Sequence, residues 1–174
     1  MGLMPSEPED VTTSNEEAAA FAETSDGRDV TLAAVRRLEA AAGRAGTGRE
    51  TDWLGQVAAD LSVLERAVAA ERHEASRPDS LLSMIVRDYP RRFSSRIRQL
   101  REQHEDIAET IASLRTQLQS MRDEPTIDVA DLRERLRWLA DAVRHRWERE
   151  TDLVYEAIRL DLGRADHAAQ EGEI

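Results

Sequence analysis

The sequence contains no cysteine and no lysine among its 174 residues. Without cysteine the chain has no disulfide, no thiolate metal ligand and no cysteine nucleophile. All 24 basic residues are arginine. Because helix propensity does not distinguish the two residues, we attribute this to genome base composition, which indicates a GC-rich bacterium. Aromatic residues are also scarce, at 4%, whereas charged residues reach 34%, a balance typical of long helices rather than sheets.

Long apolar runs are missing as well, and the first residues are acidic rather than basic and then apolar. We therefore expect a cytoplasmic protein without a membrane span. The net charge is −11, of which −7 falls in residues 1–29, so the remainder carries only −4. Neither part offers a basic face, and nucleic acid is not expected as a partner. The acidic composition of residues 1–29 predicts a disordered tail.

The most regular pattern in the chain runs from Phe93 to Met121. Apolar residues recur there at alternating steps of four and three, at Phe93, Ile97, Leu100, Ile107, Ile111, Leu114, Leu118 and Met121. This spacing predicts a long amphipathic helix that buries one face. His104 occupies the one polar position in the series, so we expect its imidazole in the core with at least one hydrogen-bond partner.

Further helices are predicted on both sides of this one. The first covers residues 31–42, and the second follows a cap at Thr51 or Asp52 and buries Leu54, Val57, Leu61, Leu64 and Val68. A short helix covers residues 80–89, and Pro90 is expected to break or kink the chain there. The last helix follows a cap at Asp128 and ends at Gly163, with an inward face of Leu132, Leu136, Leu139, Val143, Trp147, Val154 and Ile158.

These helices and their short loops predict an all-α fold, an antiparallel up-down four-helix bundle. The bundle domain covers residues 30–163. It follows the disordered acidic tail of residues 1–29 and precedes a frayed tail of residues 164–174.

Three polar side chains fall on the predicted core faces, one on each long helix: Glu71, His104 and Glu150. They are candidate metal ligands, with the imidazole as nitrogen donor and the carboxylates as oxygen donors. The alternative is a structural pair of a buried imidazole and a carboxylate. Glu150 is nearest to His104 in level along the bundle, so we expect these two side chains to approach each other. His73 and His145 are predicted on exposed faces, and Trp138 beside His145 is a candidate dimer face.

Established catalytic motifs are not found. The residues three positions before His73, His104 and His145 are not glutamate, so the Glu-x-x-His pairs of di-iron bundles are missing. The sequence also lacks a His-Glu-x-x-His zinc motif, a phosphate-binding loop, a dinucleotide fingerprint and a nucleophile elbow.

Several short stretches resemble the bacterial hemerythrin-like (HHE-type) four-helix proteins. They are Gly48–Trp53 continuing to Pro78–Leu82, then Leu100–His104, and Asp152–Ala157 leading to Asp161–Gly163. The resemblance implies a four-helix bundle that holds two non-haem irons through histidines and carboxylates, commonly with glutamate four residues after histidine. Here Ala108 and Arg149 stand four residues after His104 and His145, and the chain has only four histidines. The resemblance therefore implies the fold with an incomplete ligand set.

The sequence favours a non-catalytic interaction or scaffold module with a degenerate metal site, acting through a protein partner or self-association. The alternative is a sensor of oxygen, nitric oxide or peroxide that binds non-haem iron or another metal. A low-activity iron enzyme is the third hypothesis.

Overall fold

The computed structural model describes residues 27–44, 50–123 and 128–171, and this part of the chain is all-α. Its helices are α1 (residues 27–43), α2 (Glu50–Ala75), α3 (Leu81–Asp88), α4 (Pro90–Asp123) and α5 (Val129–Glu171). The predicted disordered tail lies outside the described residues, except for residues 27–29, which form the first turn of α1. No helix of the described part has the length and apolarity that a bilayer crossing requires.

The helical conformation is interrupted between α3 and α4, at the position that Pro90 predicts. Ser80 caps α3, and its hydroxyl accepts a hydrogen bond from the backbone N–H of Ser83 at 3.3 Å. Tyr89 ends α3 with φ −133° and ψ 56°, outside helical geometry. Pro90 then begins α4, because a proline tolerates the first helical position, where its missing N–H has no intrahelical partner.

The cap predicted for the last helix is also confirmed. The Asp128 carboxylate accepts hydrogen bonds from the backbone N–H groups of Ala130 and Asp131, each at 3.0 Å. The prediction that Gly163 ends this helix is wrong, because α5 continues to Glu171. A helical glycine costs only about 1 kcal/mol relative to alanine, so a single one does not enforce an end.

Buried apolar residues form two separate clusters. The large cluster contains the buried apolar residues of α1, of α2 up to Val68 apart from Ala67, of α4 from Ile107 to Leu118, and of α5 up to Val143. The small cluster joins α3, α4 and α5, and consists of Leu82, Ile85, Phe93, Ile97, Leu100, Leu153, Val154 and Ala157. The core face predicted for Phe93–Met121 is confirmed, and His104 is only 4% exposed.

The predicted inward face of α5 is right for residues 132–143 and for Val154, and wrong for Ile158. Leu132, Leu136, Leu139 and Val143 are buried, but Ile158 is 41% exposed. The buried series instead keeps alternating steps of four and three, through Arg146, Glu150, Leu153 and Ala157. A second consecutive step of four, from Val143 to Trp147, turns away from this face by about 40°. Trp147 is accordingly half-buried.

Polar contacts join successive long helices. Trp53 of α2 donates its indole N–H to the Ala41 carbonyl of α1 at 2.8 Å. Arg72 of α2 binds Glu105 of α4 at 2.9 Å, and Arg92 of α4 binds Glu156 of α5 at 2.6 Å. These contacts connect α1 to α2, α2 to α4 and α4 to α5.

Candidate functional site

A layer of charged side chains separates the two apolar clusters. On α4, His104 lies between Leu100 of the small cluster and Ile107 of the large one. On α5, Arg146 and Glu150 lie between the residues of the same two clusters. Glu71 of α2 and Arg28 of α1 complete this set, and we call Arg28, Glu71, His104, Arg146 and Glu150 the charged layer.

Arg146 is the centre of the charged layer. Its Nη1 donates to Glu150 Oε2 at 2.6 Å, and its Nη2 donates to Glu71 Oε2. The side chains of all three residues are less than 10% exposed. A guanidinium presents donors in a planar fork, so one arginine can bind two carboxylates from different helices at once. Arg146 therefore ties α5 to α2.

Glu150 receives a second arginine from α1. Arg28 Nη2 donates to Glu150 Oε1 at 2.9 Å, and Arg28 Nη1 donates to the Thr151 hydroxyl at 3.1 Å. Both oxygens of Glu150 are therefore bound by guanidinium groups. The first turn of α1 contributes a cation to the site, which places Arg28 in the folded part of the chain.

His104 lies beside Glu71. The two atoms His104 Nε2 and Glu71 Oε2 are 3.8 Å apart, which is longer than a hydrogen bond. Glu71 Oε2 instead accepts from Arg146 and, at 3.2 Å, from the indole N–H of Trp147. Two buried atoms of this pair, His104 Nε2 and Glu71 Oε1, have no hydrogen-bond partner among the described residues.

The electrostatics of the site favour an ionised Glu71. Burial on its own raises the pKa of the Glu71 carboxyl, because the charged form loses its hydration. The adjacent His104 imidazole and the positive charge of Arg146 outweigh this effect. They hold the pKa of Glu71 below its ordinary value of 4.5.

A partly open pocket of about 430 Å³ adjoins the charged layer. Glu71, His104, Arg146 and Glu150 line it together with Leu81 and Leu82 of α3 and residues of α1 and α2. Its volume falls in the roughly 300–1,000 Å³ range of pockets that hold small molecules.

Sequence reasoning found three of these residues and paired them differently. Glu71, rather than Glu150, is the carboxylate beside His104, since both oxygens of Glu150 are bound by arginines. Arg146 is not among the predicted residues, because the predicted face of α5 steps from Val143 to Trp147. Continuing the alternating steps of α5 beyond Val143 would have found it. No comparable signal marks Arg28, because the acidic composition of residues 1–29 predicts a tail there.

The charged layer fits a metal ion poorly. Within the described residues, no group of three or more histidine, aspartate and glutamate side chains is arranged to hold one. Arg146 occupies the place of a cation between Glu71 and Glu150, the two predicted oxygen ligands. Metal binding by His104, Glu71 and Glu150 stays a prediction.

The histidines predicted on exposed faces lie there. His73 is exposed on α2. The His145 side chain is 61% exposed, and its Nδ1 lies 3.4 Å from Glu148 Oε2 within the same helix. Trp138 is also exposed.

Fold and site together define an all-α protein with a buried ionic layer beside a small-molecule-sized pocket. Comparisons with protein-family models, curated proteins and solved structures found no match to this chain.

We predict that Arg146→Met lowers the free energy of unfolding by about 3–5 kcal/mol, because it leaves the buried Glu71 carboxylate without an arginine and Glu150 with Arg28 alone. The matched control is Arg144→Met, which removes a half-exposed pair with Glu39 and should cost less than about 1 kcal/mol. Urea denaturation of both variants measures the difference. Equal losses would show that the layer does not bury its charges.

We also predict an acid-dependent loss of stability that originates at Glu71. The pKa of Glu71 is lower in the folded state than its ordinary value of 4.5. The contribution of Glu71 to the free energy of unfolding is therefore complete at a pH above 4.5, and it is lost as the pH falls through the folded-state pKa. Glu71→Gln should therefore be less stable than the wild type at pH 7 and lose less on acidification. Denaturant titrations from neutral to acidic pH measure this, with Glu65→Gln in the half-exposed pair with Arg115 as control. Parallel curves for wild type and Glu71→Gln would contradict it.

Proposed function

We propose that this chain is a non-catalytic interaction module, and that the partner of its surface is a second copy of the same chain. The observation that carries this proposal is an apolar stripe on α5. Tyr155, Ile158 and Leu162 are exposed by 63%, 41% and 63% and stand three and four residues apart, so they share one face. We call these three residues the α5 stripe. Large apolar side chains grouped on one face are typical of protein–protein contacts.

The spacing of the α5 stripe favours a helix as partner. Steps of three and four residues are those of a helix-pairing seam, in which apolar side chains insert between those of a facing helix. A second copy supplies the same stripe, and a two-fold axis lets each stripe cover the other.

The charged layer supports a structural rather than a catalytic use of the buried ionisable groups. Ion pairs join four of these groups to one another: Arg146, Glu71, Glu150 and Arg28. These pairs connect α1, α2 and α5. This is the role we propose for the site in a divergent hemerythrin-like protein, where arginine takes the place of the metal cation. The cytoplasmic location expected from the sequence belongs to the same proposal.

We further propose that α1, α2, α4 and α5 form an antiparallel up-down bundle, with α3 as a short insertion. Cross-helix contacts support this order. Between α2 and α4 the pairs are Glu65–Arg115 and Arg72–Glu105, so residue numbers rise on one helix as they fall on the other. The pairs Arg28–Glu150 and Glu39–Arg144 give the same opposite order for α1 and α5.

The self-association is tested by sedimentation equilibrium over a range of protein concentrations. We expect a concentration-dependent dimer for the wild type and a monomer for the double variant Ile158→Glu with Leu162→Glu. The matched control is Trp138→Glu, which also removes an exposed apolar side chain of α5 but lies about 200° around the helix from Ile158. A wild type that stays monomeric contradicts the proposal. Loss of the dimer in Trp138→Glu alone would assign the contact to the other face.

One observation favours a metal-binding sensor as second candidate. His104 Nε2 and Glu71 Oε1 are buried without hydrogen-bond partners among the described residues, and iron and zinc accept nitrogen and oxygen ligands of both types. Metal analysis of protein purified without a histidine tag separates the candidates. Our proposal expects no stoichiometric metal. One equivalent of iron or zinc that is lost in His104→Leu would favour the sensor.

A further inference from the structure

Two charged side chains of opposite sign lie beside the α5 stripe. Asp152 and Arg159 are exposed and stand seven residues apart, so they share one flank of α5, about 10 Å from each other along its axis. Around the helix, Arg159 is about 40° and Asp152 about 60° from Tyr155, both on the side away from Ile158. Within the described residues neither side chain forms an ion pair. An interface across the α5 stripe therefore has one unpaired charge of each sign at its edge.

The exposed part of α5 starts where α1 starts. Arg28, in the first turn of α1, donates to the Thr151 hydroxyl at 3.1 Å, and further along α1 Glu39 binds Arg144. The helix α1 therefore accompanies α5 from Thr151 toward lower residue numbers. Beyond Thr151 the α5 stripe is exposed, which leaves about three turns of α5, up to Leu162, for a second helix.

The flank of Asp152 and Arg159 distinguishes antiparallel from parallel pairing. In an antiparallel pair the two-fold axis is perpendicular to both helices, so each flank lies beside the same flank of the partner. In a parallel pair each flank lies beside the opposite one. On α5 that opposite flank presents Val154, which is buried, and Asp161, which is already bound by the Tyr89 hydroxyl. Antiparallel pairing brings the unpaired aspartate of one copy to the unpaired arginine of the other.

Charge also selects one register of the antiparallel pair. When Tyr155 packs against the partner's Ile158, Asp152 and the partner's Arg159 differ in height by about 3 Å, within reach of an arginine side chain. The two-fold axis repeats this contact, which gives two ion pairs. A shift by one heptad sets Arg159 against the partner's Arg159, and the opposite shift sets Asp152 against the partner's Asp152. Like charges at facing positions are destabilising, so both adjacent registers are disfavoured.

We propose that two copies pair their α5 helices in antiparallel orientation, with Asp152 of each copy bound to Arg159 of the other. This inference rests on the proposed self-association and adds its orientation and register. The α5 stripe supplies the apolar contact, and the flanking charges specify how the copies align, as they do in other helix pairs. The paired segment runs from Thr151 to Leu162 and ends where α1 begins.

Charge reversal in the full chain tests the ion pairs at low ionic strength, where screening is weakest. Asp152→Arg and Arg159→Asp each replace two attractive contacts of the dimer by two repulsive ones. We expect sedimentation equilibrium to show at least about tenfold weaker self-association for each. The double variant Asp152→Arg with Arg159→Asp restores opposite charges and should recover the affinity of the wild type. The matched control, Arg137→Asp, makes the same change of charge at an exposed position of α5 outside the paired segment and should leave the affinity unchanged.

Spin labelling measures the orientation directly. Because the chain has no cysteine, His145→Cys provides a single labelling site, at an exposed position outside the paired segment. The proposed register places the two labels of a dimer about 35 Å apart along the helix axis, and each adjacent register changes this distance by about 10 Å. A parallel pair places the labels within about 20 Å of each other. Double electron–electron resonance measures the distance.

Four results would overturn the inference while leaving the self-association intact. They are a dimer that neither single reversal weakens, a double variant as weak as the single ones, a loss in Arg137→Asp as large as in Arg159→Asp, and a label distance of about 20 Å or less. A wild type that stays monomeric contradicts the self-association itself, and the inference with it.

Discussion

A guanidinium buried between two carboxylates is the constraint on which the rest of this structure depends. Removing three charges from water costs several kcal/mol for each ion, and their mutual attraction offsets this only when the geometry is good. Arg146 meets that condition by donating to Glu71 and Glu150 at the same time. Any sliding or rotation of α5 against α2 would break one of the two contacts. Because the buried charges are stable only when they are paired, the charged layer favours the one helix register in which these contacts form.

The two apolar clusters alone would specify that register less strictly. Leucine and isoleucine at steps of three and four residues can pack in several registers, because an apolar face shifted by one heptad meets similar side chains. A polar residue in each of several helices at the same level leaves one alignment in which the charges meet. His104, Arg146 and Glu71 stand at such positions, each continuing the buried series of its own helix. Similar reasoning explains why single polar residues fix register in coiled coils.

Much of the fold could be predicted because its signals are local. The interruption at Pro90 follows from the backbone chemistry of proline, the start of α5 follows from the side-chain cap of Asp128, and the buried faces of α2 and α4 follow from periodicity. His104 was recognised as buried because its neighbours in the series are apolar. The carboxylate beside His104 could not be predicted in the same way, since pairing between helices depends on their relative heights, which no single segment encodes. Arg146 and Ile158 differ from the prediction for another reason. Beyond Val143 the buried face of α5 follows helical position, whereas the apolar residues of the sequence lead to Trp147 and Ile158.

The break at Tyr89 has a thermodynamic consequence for α3. Tyr89 donates its N–H to Ile85 of α3, and its carbonyl accepts from the N–H groups of Arg92 and Phe93 in α4. Because Pro90 has no N–H to continue the hydrogen bonds of α3, opening of α3 up to Tyr89 leaves the backbone hydrogen bonds of α4 intact. Its buried anchorage consists of Leu82 and Ile85, far less than any of the long helices contributes. Opening of α3 is therefore a sub-global unfolding step with a smaller free energy than unfolding of the whole chain. Since Leu81 and Leu82 also wall the pocket, opening of α3 would widen the pocket.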